Sequence, residues 1–171
     1  RGTVKLHGAN SSVVVNRDGS YHVCSRERPI GLCDSDPLDM NIMYSKIGNE
    51  TITRVANQLI GDADKVVLYG ELIGQGVQHN VAVSEIERCV VLFHATRLYD
   101  DGTTEDVDIE HVLIGDSDYF NIYEFGVFEG EFDDLYELQT FVSKHTHEVD
   151  NKCPVGSVIA PNSKVKNGEG V

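Results

Sequence analysis

The sequence predicts an α+β domain built mainly on antiparallel sheet, and three observations carry that expectation. Short β-rich runs such as Val13-Val14-Val15 and Ser20-Tyr21-His22-Val23-Cys24-Ser25 follow one another closely. Asp18-Gly19 falls between those two runs, and Asp-Gly between alternating segments is a strong hairpin signal. Only residues 50–60 and 131–144 place apolar side chains at helical period. Many strands with two helices give an α+β domain, and at 171 residues the chain has room for one sizeable domain and not for two full ones.

In order, the chain opens on Gly2-Thr3-Val4-Lys5-Leu6, a short run with Lys5 at its end. A polar turn, His7-Gly8-Ala9-Asn10, separates it from the first hairpin strand. A lysine where a strand meets a glycine turn is expected to be half-buried, which lowers an amine's pKa. The returning hairpin strand delivers Arg26 and Arg28 just before Pro29. Residues 31–46, rich in Asp, Pro and Asn, read as an irregular loop; Asp34, Asp36 and Asp39 lack the glycine and terminal glutamate of a calcium loop. Ile52, Val55, Ala56, Leu59 and Ile60 form the stripe of the first helix, with Gly61 as its stop.

Residues 65–74 give the most apolar strand, with Glu71 in its middle. A carboxylate there is costly unless it is paired or functional. Gly74-Gln75-Gly76 makes the exit turn, and residues 88–95 form a further buried strand. The Asp100-Asp101-Gly102 turn leads to a hairpin arm over residues 107–114. Residues 119–128 are a strand or a strand-to-helix connection. Phe132, Leu135, Tyr136, Leu138, Phe141 and Val142 mark an amphipathic helix with His145 and His147 at its end. Residues 155–160 read as a short strand, and the chain stops on Glu169-Gly170-Val171 inside another strand-like run.

Charge narrows the function classes. The formal net charge of −14 argues against generic nucleic-acid affinity, because phosphate binding is largely neutralisation by Lys and Arg. No apolar run reaches membrane-spanning length. Cys24, Cys33, Cys89 and Cys153 never form a Cys-x-x-Cys pair, which sets zinc aside. Free thiols in a reducing cytoplasm are the expectation.

The order of the pieces carries a resemblance. Lys5-Leu6-His7-Gly8-Ala9-Asn10 resembles the nucleotidyl-acceptor motif Lys-x-His-Gly-x-Asn of ATP-dependent RNA ligases of the RNA ligase 2 family. Tyr69-Gly70-Glu71-Leu72 with Gly74-x-Gly76 resembles the third motif of the same nucleotidyltransferase domain. Glu169-Gly170-Val171 resembles the start of its Glu-Gly-x-Val motif. Arg26 is placed like the arginine that follows the first motif, with Arg28 competing for that place. Phe93 stands where the family has an aromatic that stacks on adenine.

The resemblance implies three nucleotidyl transfers. Lys5 attacks the α-phosphorus of ATP, AMP moves to a 5′-phosphate RNA end, and a 3′-hydroxyl displaces it to seal RNA, with nicked duplex RNA as the expected partner. By the same resemblance His7 and Asn10 join Lys5 as catalytic residues. Leu6, Asn10, Arg26, Glu71 and Phe93 line the nucleotide, and Glu169 holds Mg2+ or Mn2+. A neutral amine suits the nucleophile, Glu71 can accept hydrogen bonds from ribose hydroxyls, and Phe93 offers a flat face to the base.

The family's Lys-x-Lys motif, its upstream segment and its C-terminal RNA-binding domain are not matched. Lys164-Val165-Lys166 precedes Glu169 and lies on the wrong side. Both ends are therefore expected to be cut, and the piece alone is expected to be poor at the first step. Two other readings are a related DNA ligase or GTP-using capping enzyme, and a non-catalytic nucleotide-binding module. ATP-against-GTP labelling, and binding without covalent transfer, separate them.

Overall fold

The computed structural model describes residues 1–31, 34–36, 38–162, 165, 167–168 and 170–171. Eight strands and four α-helices follow along these residues: β1 Gly2–Thr3, β2 Ala9–Asn16, β3 Tyr21–Ser25, α1 Met40–Ile47, α2 Asn49–Leu59, β4 Lys65–Ile73, β5 Cys89–Leu98, β6 Thr104–Val107, β7 Tyr119–Asn121, β8 Val127–Phe128, α3 Leu135–Asn151 and α4 Pro154–Ile159. The α+β class is as expected. Contacts divide the chain into two compact units. One comprises residues 9–72 and 88–121, the other residues 1–8, 73–87 and 122–171.

The first unit is built on a six-stranded sheet of order β3-β2-β4-β5-β6, with β7 pairing on β5. The pairs β2/β3, β2/β4 and β5/β6 are antiparallel, and β5/β7 is parallel. The Asp18-Gly19 turn forms where the hairpin signal puts it: Gly19 takes φ +84°, and the Asp18 carboxylate accepts the Ser20 N–H at 2.9 Å. Ser11, Val13 and Val15 lie opposite Gly70, Leu68 and Val66, and all six are buried. Helix α2 contributes Ile52, Val55, Ala56 and Leu59 to the core, and α1 contributes Met40, Met43, Tyr44 and Ile47.

Gly70 is the tightest point of this core. A Cβ there would sit 2.5 Å from Val90 Cγ1 and 3.3 Å from the Tyr44 hydroxyl. Ser11 Oγ donates to the Gly70 carbonyl at 3.2 Å and lies 3.0 Å from Tyr44 Oη, which satisfies both buried hydroxyls.

The second unit holds the β1/β8 ribbon, α3 and α4. Phe128 and Phe141 flank His145 at ring-centroid distances of 4.7 and 4.3 Å, and Phe132 packs edge-on against Phe141 at 5.0 Å.

Several expectations are corrected. The segment 31–46 is not all loop, because α1 fills its second half. Its first turn is capped by Asp36, whose carboxylate accepts the Met40 and Asn41 N–H groups at 2.9 and 2.7 Å. The polar composition hid a buried Met40/Met43/Tyr44/Ile47 stripe.

The arm expected over 107–114 stops at Val107. Asp108 turns the chain by accepting the Glu110 N–H at 2.9 Å, and Asn121 Nδ2 donates to the carbonyls of Ile109 and Val112. Ile109, Val112 and Ile114 are therefore buried as a loop. Residues 155–159 of that run are helical, because Pro154 at the first helical turn presets φ and outweighs the β-branched residues after it. Helix α3 runs on to Asn151, so His145 and His147 lie within it and not at its end. Gly170 and Val171 are not in a strand. The chain thus has four α-helices among the described residues, not two.

Candidate functional site

The register of β2 against β4 puts Asn10 directly opposite Glu71. Directly opposed residues of an antiparallel pair share a face, with Cβ atoms about 5 Å apart. The Lys-x-His-Gly-x-Asn and Tyr-Gly-Glu stretches, some sixty residues apart in sequence, therefore meet at one cross-strand pair. Both side chains are half-buried.

The neighbouring row on the same face is Cys24–Ser12–Tyr69, set by Ser12 pairing with Cys24 on one side and with Tyr69 on the other. Burial raises the Cys24 thiol above its ordinary pKa, a hydrogen bond from Ser12 opposing it. The thiol is therefore protonated at neutral pH.

The two arginines stand differently at the end of β3. The β2/β3 ladder ends at the Ser11–Ser25 pair, and Arg26 follows it as the first residue of a turn. Arg28 lies beyond the turn in which the Ser25 N–H donates to the Arg28 carbonyl at 2.9 Å. Its guanidinium is bound to Asp34 at 2.8 Å. Arg26 is thus exposed in the turn after β3, and Arg28 is bound to Asp34.

β5 supplies rings to this unit. Val90, Val91 and Leu92 are fully buried, but Phe93 is 38% exposed, so the core does not absorb it. The ring that meets Tyr69 is His94, at a centroid distance of 5.4 Å. His94 Nε2 lies 3.2 Å from both Thr96 Oγ1 and Asp106 Oδ1, while Thr96 Oγ1 donates to Asp106 Oδ1 at 3.1 Å. His94, Thr96 and Asp106 thus form one side-chain cluster beside Tyr69.

Tyr69 and His94 were not singled out as site residues from the sequence. Period-2 parity with Glu71 is a signal that finds Tyr69. Nothing in the sequence shows that His94, rather than Phe93, meets it.

Lys5, Leu6 and His7 belong to the other unit. They lie between β1 and β2 in a segment without regular structure. Lys5 is exposed and not half-buried as expected, because β1 ends at Thr3 and the lysine no longer stands in a paired strand. Its backbone N–H donates to the Gly170 carbonyl at 2.8 Å, and Gln78 Nε2 donates to the Gly8 carbonyl at 3.3 Å. Leu6 and His7 are half-buried. Glu169, expected as a metal ligand, lies outside the described residues. Among the described residues no group of three or more His, Cys, Asp or Glu side chains is arranged to hold a metal ion.

Three solved structures illustrate the likeness to known proteins, all of the Naegleria gruberi RNA ligase. A glutamate-to-alanine variant with ATP and Mn is 19% identical at a TM-score of 0.47, covering 96% of this chain and 43% of that one. An arginine-to-alanine variant with ATP and Mn is 17% identical at 0.39, covering 99% and 35%. A lysine-to-methionine variant with AMP and Mn is 20% identical at 0.42, covering 56% and 25%. The chain thus spans less than half the length of these ligases, and at such scores the likeness carries no argument. No curated protein matches. A family model described as RNA ligase, however, matches residues 2–168. With nearly the whole length inside that match, the chain belongs to the RNA ligase family.

Proposed function

We propose that this chain is the nucleotidyl-accepting part of an ATP-dependent RNA ligase, with Lys5 as the residue that takes AMP. Besides family membership, the observation that carries the reading is the Asn10–Glu71 cross-strand pair, with Arg26 exposed in the turn that follows β3. An amide and a carboxylate in one cross-strand pair and an exposed guanidinium suit a nucleotide. The carboxylate accepts from sugar hydroxyls, the guanidinium pairs with phosphate oxygens, and the amide does either. Phe93 or the Tyr69–His94 pair offers flat surface to a base.

In the first step the neutral Lys5 amine attacks the α-phosphorus of ATP. A P–N bond forms, the bond to the bridging oxygen breaks with its electron pair leaving on pyrophosphate, and an amine proton passes to solvent. A 5′-phosphate of RNA then takes AMP from the lysine, and a 3′-hydroxyl displaces AMP to close the phosphodiester, nicked duplex RNA being the preferred form. His7 and Asn10 orient the phosphate and the attacking amine. A divalent ion, magnesium or manganese, would offset phosphate charge. The described residues do not assemble a ligand set for one. Three thiols, Cys24, Cys89 and Cys153, are unpaired, which supports a reducing cytoplasmic setting.

The test is covalent labelling of the full-length protein with α-labelled ATP and magnesium. Wild-type protein is expected to carry label and Lys5→Ala to carry none; label persisting in that variant removes Lys5 from the role. Labelling by GTP in place of ATP would move the protein toward capping enzymes. Nucleotide binding with no label would favour a non-catalytic module, a reading the net charge of −14 supports.

A further inference from the structure

From Leu98 to Ser143 the sequence holds no Lys or Arg, and these 46 residues carry 14 of the 28 Asp and Glu. Five of them, Glu129, Glu131, Asp133, Asp134 and Glu137, crowd the approach to α3 and its first turn, and all five are exposed. The helix itself is under-packed. Phe141 and His145 meet the aromatic cluster and Val149 is buried, a stripe at i, i+4, i+8 that seats the second half of the helix.

The first two turns have no such seat. Leu135, Leu138 and Val142, spaced i, i+3, i+7, lie along the flank of that stripe at 67%, 38% and 40% exposure, and Tyr136 beside them is 76% exposed. Three aliphatic side chains in a row and a tyrosine left in water are the mark of an unfilled contact.

Charge decides the kind of contact. Arg1 reaches Glu129 at 2.6 Å, Asp134 caps the helix through the Glu137 N–H, and Glu137 accepts the Asp133 N–H. The Glu131 and Asp133 carboxylates therefore sit at the open end of the apolar row in a field that no Lys or Arg of residues 98–143 offsets. Nucleic acid is repelled by such a surface, and an uncharged apolar partner would bury these carboxylates without compensation.

We infer that the first two turns of α3 are a docking surface for a basic amphipathic helix of a partner protein. Its aliphatic face would cover Leu135, Leu138 and Val142, and its Lys or Arg residues would meet Glu131 and Asp133. This inference goes beyond nucleotidyl transfer and does not depend on it.

Fluorescence anisotropy of a labelled 14-residue Leu/Lys amphipathic peptide, against its Leu/Glu counterpart, tests it. Saturable binding of the Leu/Lys peptide alone is expected. Leu135→Glu with Val142→Glu should weaken it by about tenfold or more, and so should Glu131→Lys with Asp133→Lys, which spares the Asp134 cap. Glu27→Lys with Glu87→Lys makes the same change of net charge at other exposed positions and should leave binding within about twofold. Circular dichroism verifies the fold of each variant, and the charge pair serves if the apolar pair is unfolded. Equal weakening by the remote pair, equal binding of the Leu/Glu peptide, or no saturable binding overturns the assignment. So would a concentration-dependent dimer lost on Leu135→Glu, which makes a second copy the occupant.

Discussion

At the residue scale the two arginines before Pro29 are chemically alike and differ in what the backbone does with them. Arg26 is exposed in the turn after β3, whereas Arg28 is held by Asp34. In nucleotide-binding measurements on the full-length protein, Arg26→Ala is expected to weaken ATP binding by about tenfold, the scale of one lost charge-assisted contact of about 1.5 kcal/mol. Arg28→Ala should change it by less than about twofold, since an exposed ion pair contributes little. The reverse ranking would return the role to Arg28. Sequence reasoning left this pair open because both lie past the last β-rich residue. Only the turn after Ser25 and the contact with Asp34 distinguish them, and neither is written in the local sequence.

Lys5 shows the complementary limit. Its motif is legible as a string, but its burial is not. The run Gly2-Thr3-Val4-Lys5-Leu6 reads as a strand reaching the lysine, whereas pairing with β8 covers only Gly2 and Thr3. A two-residue ribbon cannot bury a side chain two positions beyond it.

At the scale of elements, the hairpin, α2, β4 and β5 were legible because each carries one unambiguous period between clear stops. α1 and α4 were not. Asp36 and Pro154 are turn-formers in composition and helix-starters in place, and which role wins depends on the four residues that follow. The stripe read for α3 is a different failure. Periodicity correctly marks an apolar face but does not say that anything in the same unit covers it.

That helix depends strongly on its start. With only Val149 buried along 17 residues, tertiary packing contributes little to its first turns. The Asp134 carboxylate accepts the Glu137 N–H at 2.9 Å, so Asp134→Ala should destabilise the helix by about 1 kcal/mol. The loss should show as faster amide exchange over residues 135–142, with little change in α2. Unchanged exchange there would mean that the cap is not what holds the helix start.

For the molecule as a whole, acidity sets the response to pH. Asp18, Asp34, Asp101 and Glu105 are all exposed and all hold pKa values below the ordinary range. For Asp18 and Asp101 the largest cause is a side-chain hydrogen bond, from Ser20 and Thr103. For Asp34 it is the Gly31 N–H, and for Glu105 a hydrogen bond from Arg97. Groups depressed in the folded state contribute stability above their unfolded values, near 4, and that contribution is lost as pH falls through the folded values. Against this, lowering pH from 7 toward the pI of about 4.7 relieves the self-repulsion of a −14 charge. Thermal midpoints are therefore expected to hold or rise between pH 7 and about 5 and to fall below about 4. A steady decline beginning near pH 7 would place the controlling groups elsewhere.

The cross-strand pair of Asn10 and Glu71 has a consequence for how such a chain can vary in length. A sheet face repeats every two residues, so shifting one strand by a single position would exchange Asn10 for a core-facing neighbour and leave Glu71 opposite the wrong side chain. The position of Asn10 along β2, and the length of β4 up to Glu71, are therefore quantised. The α1–α2 excursion between the two strands has no such parity to respect and can lengthen or shorten in loops that never enter the ladder. A pattern search for relatives should hold the short spacings rigid and let the long interval float.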